Sequence, residues 1–156
     1  MKKVFLLSLL LCSCGFTPMF VGSDADIYVA PISGINGIEL RNALNAKFGG
    51  AHDATAKYKL TVSLADPTTR YKALERTGDA TWQEVSLRAK YTLTMGDTVI
   101  ASGTEVASES YTFVRYLVAS NASHNNAVRN SIGVLADKIS ARAFATTHNR
   151  AVNSDK

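Results

Sequence analysis

Alternation of apolar and polar residues is the clearest signal in the middle of the chain. A period of two indicates a strand with one buried face and one exposed face. The segments that show this period, clearly or in a weaker form, are 27–32, 58–64, 71–77, 85–95 and 98–111. Asp66-Pro67, Gly78-Asp79 and Gly96-Asp97 separate the later segments and are typical of turns. The pattern therefore predicts a sheet in which consecutive strands are joined by short turns.

Two other segments repeat apolar residues every three or four positions, which predicts amphipathic helices. The first is expected to begin at Asn36, because Glu39 three positions later completes a capping box, and to end at Gly49-Gly50. The second is expected to begin at Ser120 or Asn121. Their apolar stripes are Leu40, Leu44 and Phe48 in the first helix and Val128, Ile132, Leu135 and Ile139 in the second.

These elements predict one α+β domain. Two amphipathic helices cover only one face of such a sheet, so the expected packing is a two-layer sandwich with Lys, Arg and Thr on the other face. The length of 156 residues suits one domain, and 46% apolar residues is the composition of a folded chain. We expect the domain to span residues 26–145 and a flexible polar tail to span 146–156.

The first residues have the pattern of an export signal. Lys2 and Lys3 precede the apolar run 4–11, which is too short to cross a hydrocarbon core of about 20 helical residues. The following Leu11-Cys12-Ser13-Cys14 resembles the bacterial lipoprotein signal. This resemblance implies cleavage after residue 13, a diacylglycerol and a fatty acyl chain on Cys14, and a lipidated tether over 14–25. A plain signal peptide with two incidental cysteines is the alternative.

The lipoprotein pattern also changes what the charge and the cysteines mean. Gly15, in place of an aspartate, favours an outer-membrane anchor facing the periplasm. Removal of Lys2 and Lys3 lowers the formal net charge of +4 by two, so the total no longer argues for an anionic partner. Only the placement of the remaining cations does. The mature chain would keep no free thiol, since Cys14 carries the lipid.

Basic residues cluster on two neighbouring predicted strands. Arg70, Lys72 and Arg76 lie on or near the weaker strand, and Arg88 and Lys90 lie on the outward face of the next. Two interpretations stay open: a solvated face of an antiparallel sheet, or a site for an anion such as a lipid phosphate. The expected compartment excludes a nucleic acid. Trp82 is interpreted as a core or rim residue, with ligand stacking as the alternative.

The sequence offers no catalytic motif in the mature chain. It has no nucleophile elbow, no Walker loop, no HExxH zinc motif and no CxxC pair. Its histidines lack metal-ligand spacing and are interpreted as solvated loop residues: His52, His124 and His148. A hydrolase built from His52-Asp53 with Ser120 or Ser123 has no feature that would position the groups together. We therefore expect no enzyme, no metal and no cofactor beyond the acyl groups on Cys14.

Six segments of the mature chain occur together in an order known from one family. They are 14–20 (CGFTPMF), 27–32 (IYVAPI), 39–44 (ELRNAL), 58–62 (YKLTV), 89–93 (AKYTL) and 135–142 (LADKISAR). The set resembles the LPS-assembly lipoprotein LptE family in its alphaproteobacterial form. The resemblance implies two helices on one face of a four-stranded mixed sheet. It also implies a lipoprotein that plugs and helps assemble the LptD β-barrel and binds lipopolysaccharide on its way to the cell surface.

The resemblance also points to residues for lipopolysaccharide. Arg76 falls where the family can carry a basic residue before a turn glycine, and it is the first expected contact. A second position that is sometimes basic in the family corresponds to Ser120, so Arg115 or Lys72 is the expected substitute. The other candidates are Arg70, Arg88 and Lys90. The alternative function is a free periplasm-facing lipoprotein that binds or shuttles phospholipid without a barrel partner.

Overall fold

A five-stranded mixed sheet with two helices makes up the described part of the chain. The computed structural model describes residues 25–74, 80–112 and 117–154. In chain order the elements are β1 (Ile27–Val29), α1 (Ile35–Lys47), β2 (Tyr58–Leu64), β3 (Thr68–Leu74), β4 (Ala80–Met95), β5 (Thr98–Thr112) and α2 (Leu117–Ser154). The α+β class predicted from the sequence is confirmed.

The long strand β4 organises the sheet. On one side it pairs with β5 along nearly its whole length, and on the other side it pairs with β2 and then with β3. Strand β1 lies outside β2 and pairs with it in the parallel direction. Five strands therefore occupy four positions across the sheet. The predicted number of strands, four, is one fewer than the number observed, because β2 and β3 lie end to end along the same side of β4.

Both helices pack on the same face of the sheet, which we call the helix-covered face. Helix α1 contacts β1 and β2, whereas α2 contacts β4 and β5, and the two helices contact each other. The largest fully buried side chains between the layers are Phe48, Ile27, Leu40, Leu44, Leu60, Leu87, Leu93, Ile132, Leu135, Ile139, Val29 and Val85. Burial of each contributes roughly 1.5–3 kcal/mol to folding. No helix in the described ranges is long and apolar enough to span a membrane.

Helix α1 begins differently from the prediction. Its N-cap is Gly34, with φ of 83°, and no side chain caps the first turn. Asn36 lies inside the helix, so the predicted capping box is wrong. A Cβ on Gly37 would lie 2.9 Å from the backbone carbon and oxygen of Ile32. The close approach to Ile32 therefore requires glycine at position 37, and no capping side chain marks the start of α1.

Strand β3 and helix α2 also differ in their bounds. Strand β3 (Thr68–Leu74) begins three residues before the predicted start at Tyr71, and the predicted residues 75–77 lie outside the described residues. Residues 68–72 are exposed, because no described helix contacts this strand. Helix α2 continues to Ser154, so residues 146–154, assigned to a flexible tail, are helical. The hydroxyls of Thr146 and Thr147 donate to carbonyls one turn back in the helix, which satisfies polar groups within it. The signal segment 1–13 and the tether up to residue 24 lie outside the described residues.

Candidate anion-binding face

The sheet face opposite the helices is exposed, and we call it the open face. Side chains alternate along each strand, so burial of one set against the helices turns the other set to solvent. The register places these residues on the open face: Lys59, Thr61, Ser63, Arg70, Glu84, Ser86, Arg88, Lys90, Thr92, Ser102, Thr104, Val106, Ser108 and Ser110. The predicted outward direction of Arg88 and Lys90 is confirmed.

Arg88 and Lys90 form the centre of the open face. They are two residues apart on β4, which separates their Cα atoms by about 7 Å. Ser63 and Thr104 are the direct cross-strand neighbours of Lys90 on either side. Among the described residues, neither cation has an ion pair or a side-chain hydrogen bond. Two cations beside hydroxyl donors are the groups that bind a phosphate oxygen.

Arg70 and Lys72 differ in their ion pairing. Lys72 lies at an irregularity of β3, where pairing with β4 shifts after Tyr71, and its Nζ is 3.0 Å from Oε2 of Glu84. Arg70 lies directly opposite Glu84 but has no ion pair among the described residues. Its cross-strand partner Glu84 is four residues from Arg88 on β4, about 13 Å along the strand. Glu84 therefore largely neutralises the charge of Lys72. Arg70 is a further cation of the open face without an ion pair among the described residues.

Three predicted site residues belong to parts of the chain that the structure does not describe. Arg76, Arg115 and the lipidation residue Cys14 lie outside the described residues. Their assigned roles stay predictions. Lys59, which the sequence analysis did not select, lies on the open face four residues beyond the level of Lys90 and has no ion pair in the described ranges. The alternation of β2 already places Lys59 outward, so the sequence held the signal that would have found it.

Three of the six described cations on the two helices are in ion pairs. Three ion pairs join elements of the helix-covered side: Lys47 with Asp137 at 2.6 Å, Arg129 with Glu39 at 3.3 Å, and Arg142 with Glu105 at 3.5 Å. The partners are partly exposed, so each pair contributes at most about 1 kcal/mol to stability. Their importance here is electrostatic. These pairs place three helix cations against carboxylates, whereas Arg88 and Lys90 on the open face have no carboxylate partner among the described residues.

A polar cluster under α2 was not predicted from the sequence. The hydroxyl of Tyr111 donates to Oε1 of Gln83, so its oxygen accepts from Nδ1 of His124, 3.1 Å away. This assigns the Nδ1 proton to His124 in the neutral ring. Burial, and secondarily the nearby Tyr71, raises the pKa of Tyr111 above its ordinary value. Gln83 occupies an inward position of the β4 alternation, which is the sequence signal for a buried polar partner.

The remaining candidates for chemistry are not brought together. His52 contacts the carbonyl of Phe48 at 3.3 Å, near the end of β4 at Met95, whereas His124 lies near the opposite end of β4. Ser120 lies in the first turn of α2 on that opposite side, so no triad with His52 forms. His124 and His148 are helical and not in loops, contrary to expectation. No three His, Cys, Asp or Glu residues of the described ranges could hold a metal ion.

Trp82 lies at the rim of the sheet and not in its core. Its side chain is 48% exposed, and it faces Thr112 across the β4–β5 pair. The exposure leaves the stacking interpretation open for this residue. It stands beyond Glu84 on the open face, away from Arg88 and Lys90.

Comparison with known proteins shows a shared fold. No family model and no curated protein matches the sequence. Among solved structures, rare lipoprotein B of Shewanella oneidensis superposes with a TM-score of 0.63 at 14% identity, covering 83% of this chain and 98% of that chain. A Caulobacter crescentus protein described as a lipoprotein gives 0.61 at 19% identity, covering 77% and 89%. Lipoprotein B of Nitrosomonas europaea gives 0.57 at 12% identity, covering 79% and 86%. The chain therefore has the fold of these bacterial lipoproteins.

Proposed function

We propose that the chain is an outer-membrane lipoprotein of lipopolysaccharide assembly, anchored through Cys14 and without catalytic activity. It binds lipopolysaccharide phosphate on the open face, and it plugs and helps assemble an LptD-like β-barrel. The observation that carries the binding role is the set of unpaired cations centred on Arg88 and Lys90, beside the hydroxyls of Ser63 and Thr104. The ordered sequence resemblance and the shared lipoprotein fold support the wider role.

Electrostatics favours the open face over the helix side as the phosphate-binding surface. A cation that is already paired must lose its carboxylate before it binds another anion, whereas Arg88 and Lys90 have no carboxylate partner among the described residues. Hydrogen bonds to charged groups contribute about 1.5–3 kcal/mol each, so a few suffice for a specific contact. Among the described strand residues, Glu84 is the acidic one on the open face, and its pairing with Lys72 weakens its repulsion of an anion.

Charge reversal tests the binding surface. We expect Lys90→Glu to weaken binding of purified lipopolysaccharide about tenfold, because an attraction becomes a repulsion. The matched control is Arg150→Glu, which makes the same charge change on an exposed residue of α2. Isothermal titration of both variants gives the result. Equal weakening by the two variants would show a response to net charge alone and would remove the open face as the site.

A second variant separates the open face from the contact that the family resemblance suggests. Arg76→Asp is expected to weaken lipopolysaccharide binding and leave the barrel complex intact. If Arg76→Asp abolishes binding while Lys90→Glu has no effect, the binding site is at Arg76 and the open face is a solvated surface. If anionic phospholipid vesicles compete fully with lipopolysaccharide, the phospholipid-carrier function is correct.

The barrel partner needs its own experiment. A C-terminal tag on the full chain should recover a large outer-membrane β-barrel protein from detergent-solubilised membranes. Depletion of the chain should lower the folded level of that barrel, because an unplugged barrel assembles poorly. Recovery of the chain as a free monomer from native membranes would contradict the plug role and leave the anion site unaffected.

A further inference from the structure

The outer edge of β5 is long, and most of the backbone polar groups that point outward from it have no strand partner among the described residues. Strand β5 has 15 residues, and in the described part of the chain it pairs only with β4. The amide of Ala65 donates to the carbonyl of Arg88, so the backbone of Arg88 points away from β5. The residue opposite Arg88 is Val106, and its N–H and C=O must therefore point outward. The same direction holds for every second residue along this strand.

The edge strands β1 and β5 are each capped by a cation from a helix. At one edge Nε of Arg41 donates to the carbonyl of Val29 at 3.0 Å, and at the other Nζ of Lys138 donates to the carbonyl of Val106 at 2.6 Å. A lysine or arginine on an edge carbonyl blocks addition of another strand. Strand β1 has only three residues, so one cap covers it, whereas one cap leaves most of β5 open.

The part of β5 nearest to the start of α2 has no cap in the described structure and pairs regularly with β4. It also carries an acidic residue without an ion pair in the described ranges. Ser108 and Ser110 direct their N–H and C=O outward and are exposed. Glu109 lies between them with its side chain on the helix-covered side, and no ion pair in the described ranges neutralises it. At the other end of β5 the pairing shifts between Leu93 and Thr94, which disrupts the edge there. The piece from Ala107 to Tyr111 is the part best suited to accept a strand.

We propose that this β5 edge accepts an extended segment of another protein as an added strand, with a basic side chain opposite Glu109. Main-chain hydrogen bonds at Ser108 and Ser110 give the affinity, and the Glu109 contact gives the selectivity. The proposal goes beyond the anion-binding role, because it concerns the edge of the sheet and not the open face. It holds or fails independently of lipopolysaccharide binding.

Charge favours a basic segment at Glu109, and two of the antiparallel registers with a second copy of this chain bring acidic residues opposite each other. If two β5 strands paired antiparallel with Val106 opposite Thr104, Glu105 would face Glu105 of the second copy. With Val106 opposite Ser108, Glu105 would face Glu109. Like charges directly opposite each other destabilise a strand pair. A segment with lysine or arginine at that position meets Glu109 favourably and lacks this repulsion.

Amide hydrogen exchange with a synthetic peptide tests the edge directly. The probe is a seven-residue peptide of alternating threonine and lysine, and the control peptide replaces each lysine with glutamate. We expect the threonine–lysine peptide to slow exchange at Ser108 and Ser110 about tenfold. Exchange at Ala107 and Glu109 should not change, because their amides already bond to β4. Unchanged exchange at Ser108 and Ser110, or equal slowing by the glutamate peptide, would overturn the proposal.

Two variants separate binding from folding. Proline at Ser110 removes an outward N–H that makes no bond to β4, so Ser110→Pro should keep the fold and lose peptide binding about tenfold. Glu109→Lys should keep the fold and reverse the preference to the glutamate peptide, which tests selectivity even if the proline variant fails to fold. A concentration-dependent dimer of the free chain that Ser110→Pro abolishes would show a second copy at the edge and overturn the proposal.

Discussion

The two faces of the sheet carry the same kinds of cation in different electrical surroundings. On the helix-covered side, Arg129 meets Glu39 at 3.3 Å and Lys47 meets Asp137 at 2.6 Å. On the open face, among the described residues, Arg88 has no such carboxylate. Ion pairing therefore distinguishes a cation that holds elements together from one that is available to an external anion. Residue type and exposure alone do not make this distinction.

The difference extends to what each face contributes to stability. The helix-covered face buries the core, so its side chains determine whether the chain folds. The open face buries little, so its residues are free to serve binding without loss of the fold. Substitutions at adjacent positions of one strand should therefore have very different effects.

Leu87 and Arg88 give the largest expected contrast. Leu87 is fully buried on the helix-covered face, and the next residue is exposed on the open face. We expect Leu87→Ala to lower the free energy of unfolding by about 2–5 kcal/mol, since it leaves a cavity. Arg88→Ala should change it by no more than about 0.5 kcal/mol. Urea denaturation measures both, and a large loss with Arg88→Ala would contradict the division between the faces.

Two helical glycines should respond in opposite directions to the same substitution. A Cβ at Gly37 would lie 2.9 Å from backbone atoms of Ile32, whereas a Cβ at Gly133 meets nothing within 4 Å. Gly37→Ala should lower the free energy of unfolding by about 1–3 kcal/mol through overpacking. Gly133→Ala should raise it by about 1 kcal/mol through helix propensity. If thermal denaturation gave equal shifts, the close packing of α1 on Ile32 would be wrong.

Two buried serines of α2 give a smaller contrast. Among the described atoms, Oγ of Ser131 is buried without a hydrogen-bond partner, whereas Oγ of Ser140 donates to the carbonyl of Asp137 at 3.1 Å. Ser131→Ala should raise the free energy of unfolding by about 1 kcal/mol, because an unsatisfied hydroxyl is removed. Ser140→Ala should gain less, since it also loses a bond. A larger gain for Ser140→Ala in urea denaturation would contradict this account.

The smallest expected effect is at alkaline pH. Burial raises the pKa of Tyr111 above 10.0, so the unfolded chain releases this proton before the folded chain does as the pH rises. The contribution of Tyr111 to stability is present below pH 10 and is lost as the pH rises through the folded pKa. Tyr111→Phe should reduce the fall in unfolding free energy between neutral pH and pH 11. An unchanged slope would show that burial does not affect this group.

The fold was predictable where one face of a strand is buried. The alternation in β2 gave the bounds Tyr58–Leu64, which the structure has, because helix and solvent lie on opposite sides of that strand. The start of strand β3 was predicted three residues too late because no described helix contacts this strand, so burial imposes no period. The start of α1 was missed because its N-cap is Gly34 and no side chain caps the first turn, so the capping pattern at Asn36 does not mark the start.

The sequence predicted which side chains of the candidate site point outward, but it did not predict which of them form ion pairs. Alternation alone turned Arg88 and Lys90 outward. The neutralisation of Lys72 depends on the shift in pairing after Tyr71 and on Glu84 of the neighbouring strand. Neither can be inferred from the pattern within a single strand. The buried cluster of Gln83, Tyr111 and His124 was missed for the same reason, since its members come from three elements.

The most direct test of the central claim compares lipopolysaccharide with and without its phosphates. If the unpaired cations of the open face bind phosphate, the wild-type chain should prefer the phosphorylated form by about tenfold or more, the effect of one charge-assisted hydrogen bond. The double variant Arg88→Ala/Lys90→Ala should bind both forms equally, with unchanged thermal stability. A double variant that keeps the full phosphate preference would contradict the account.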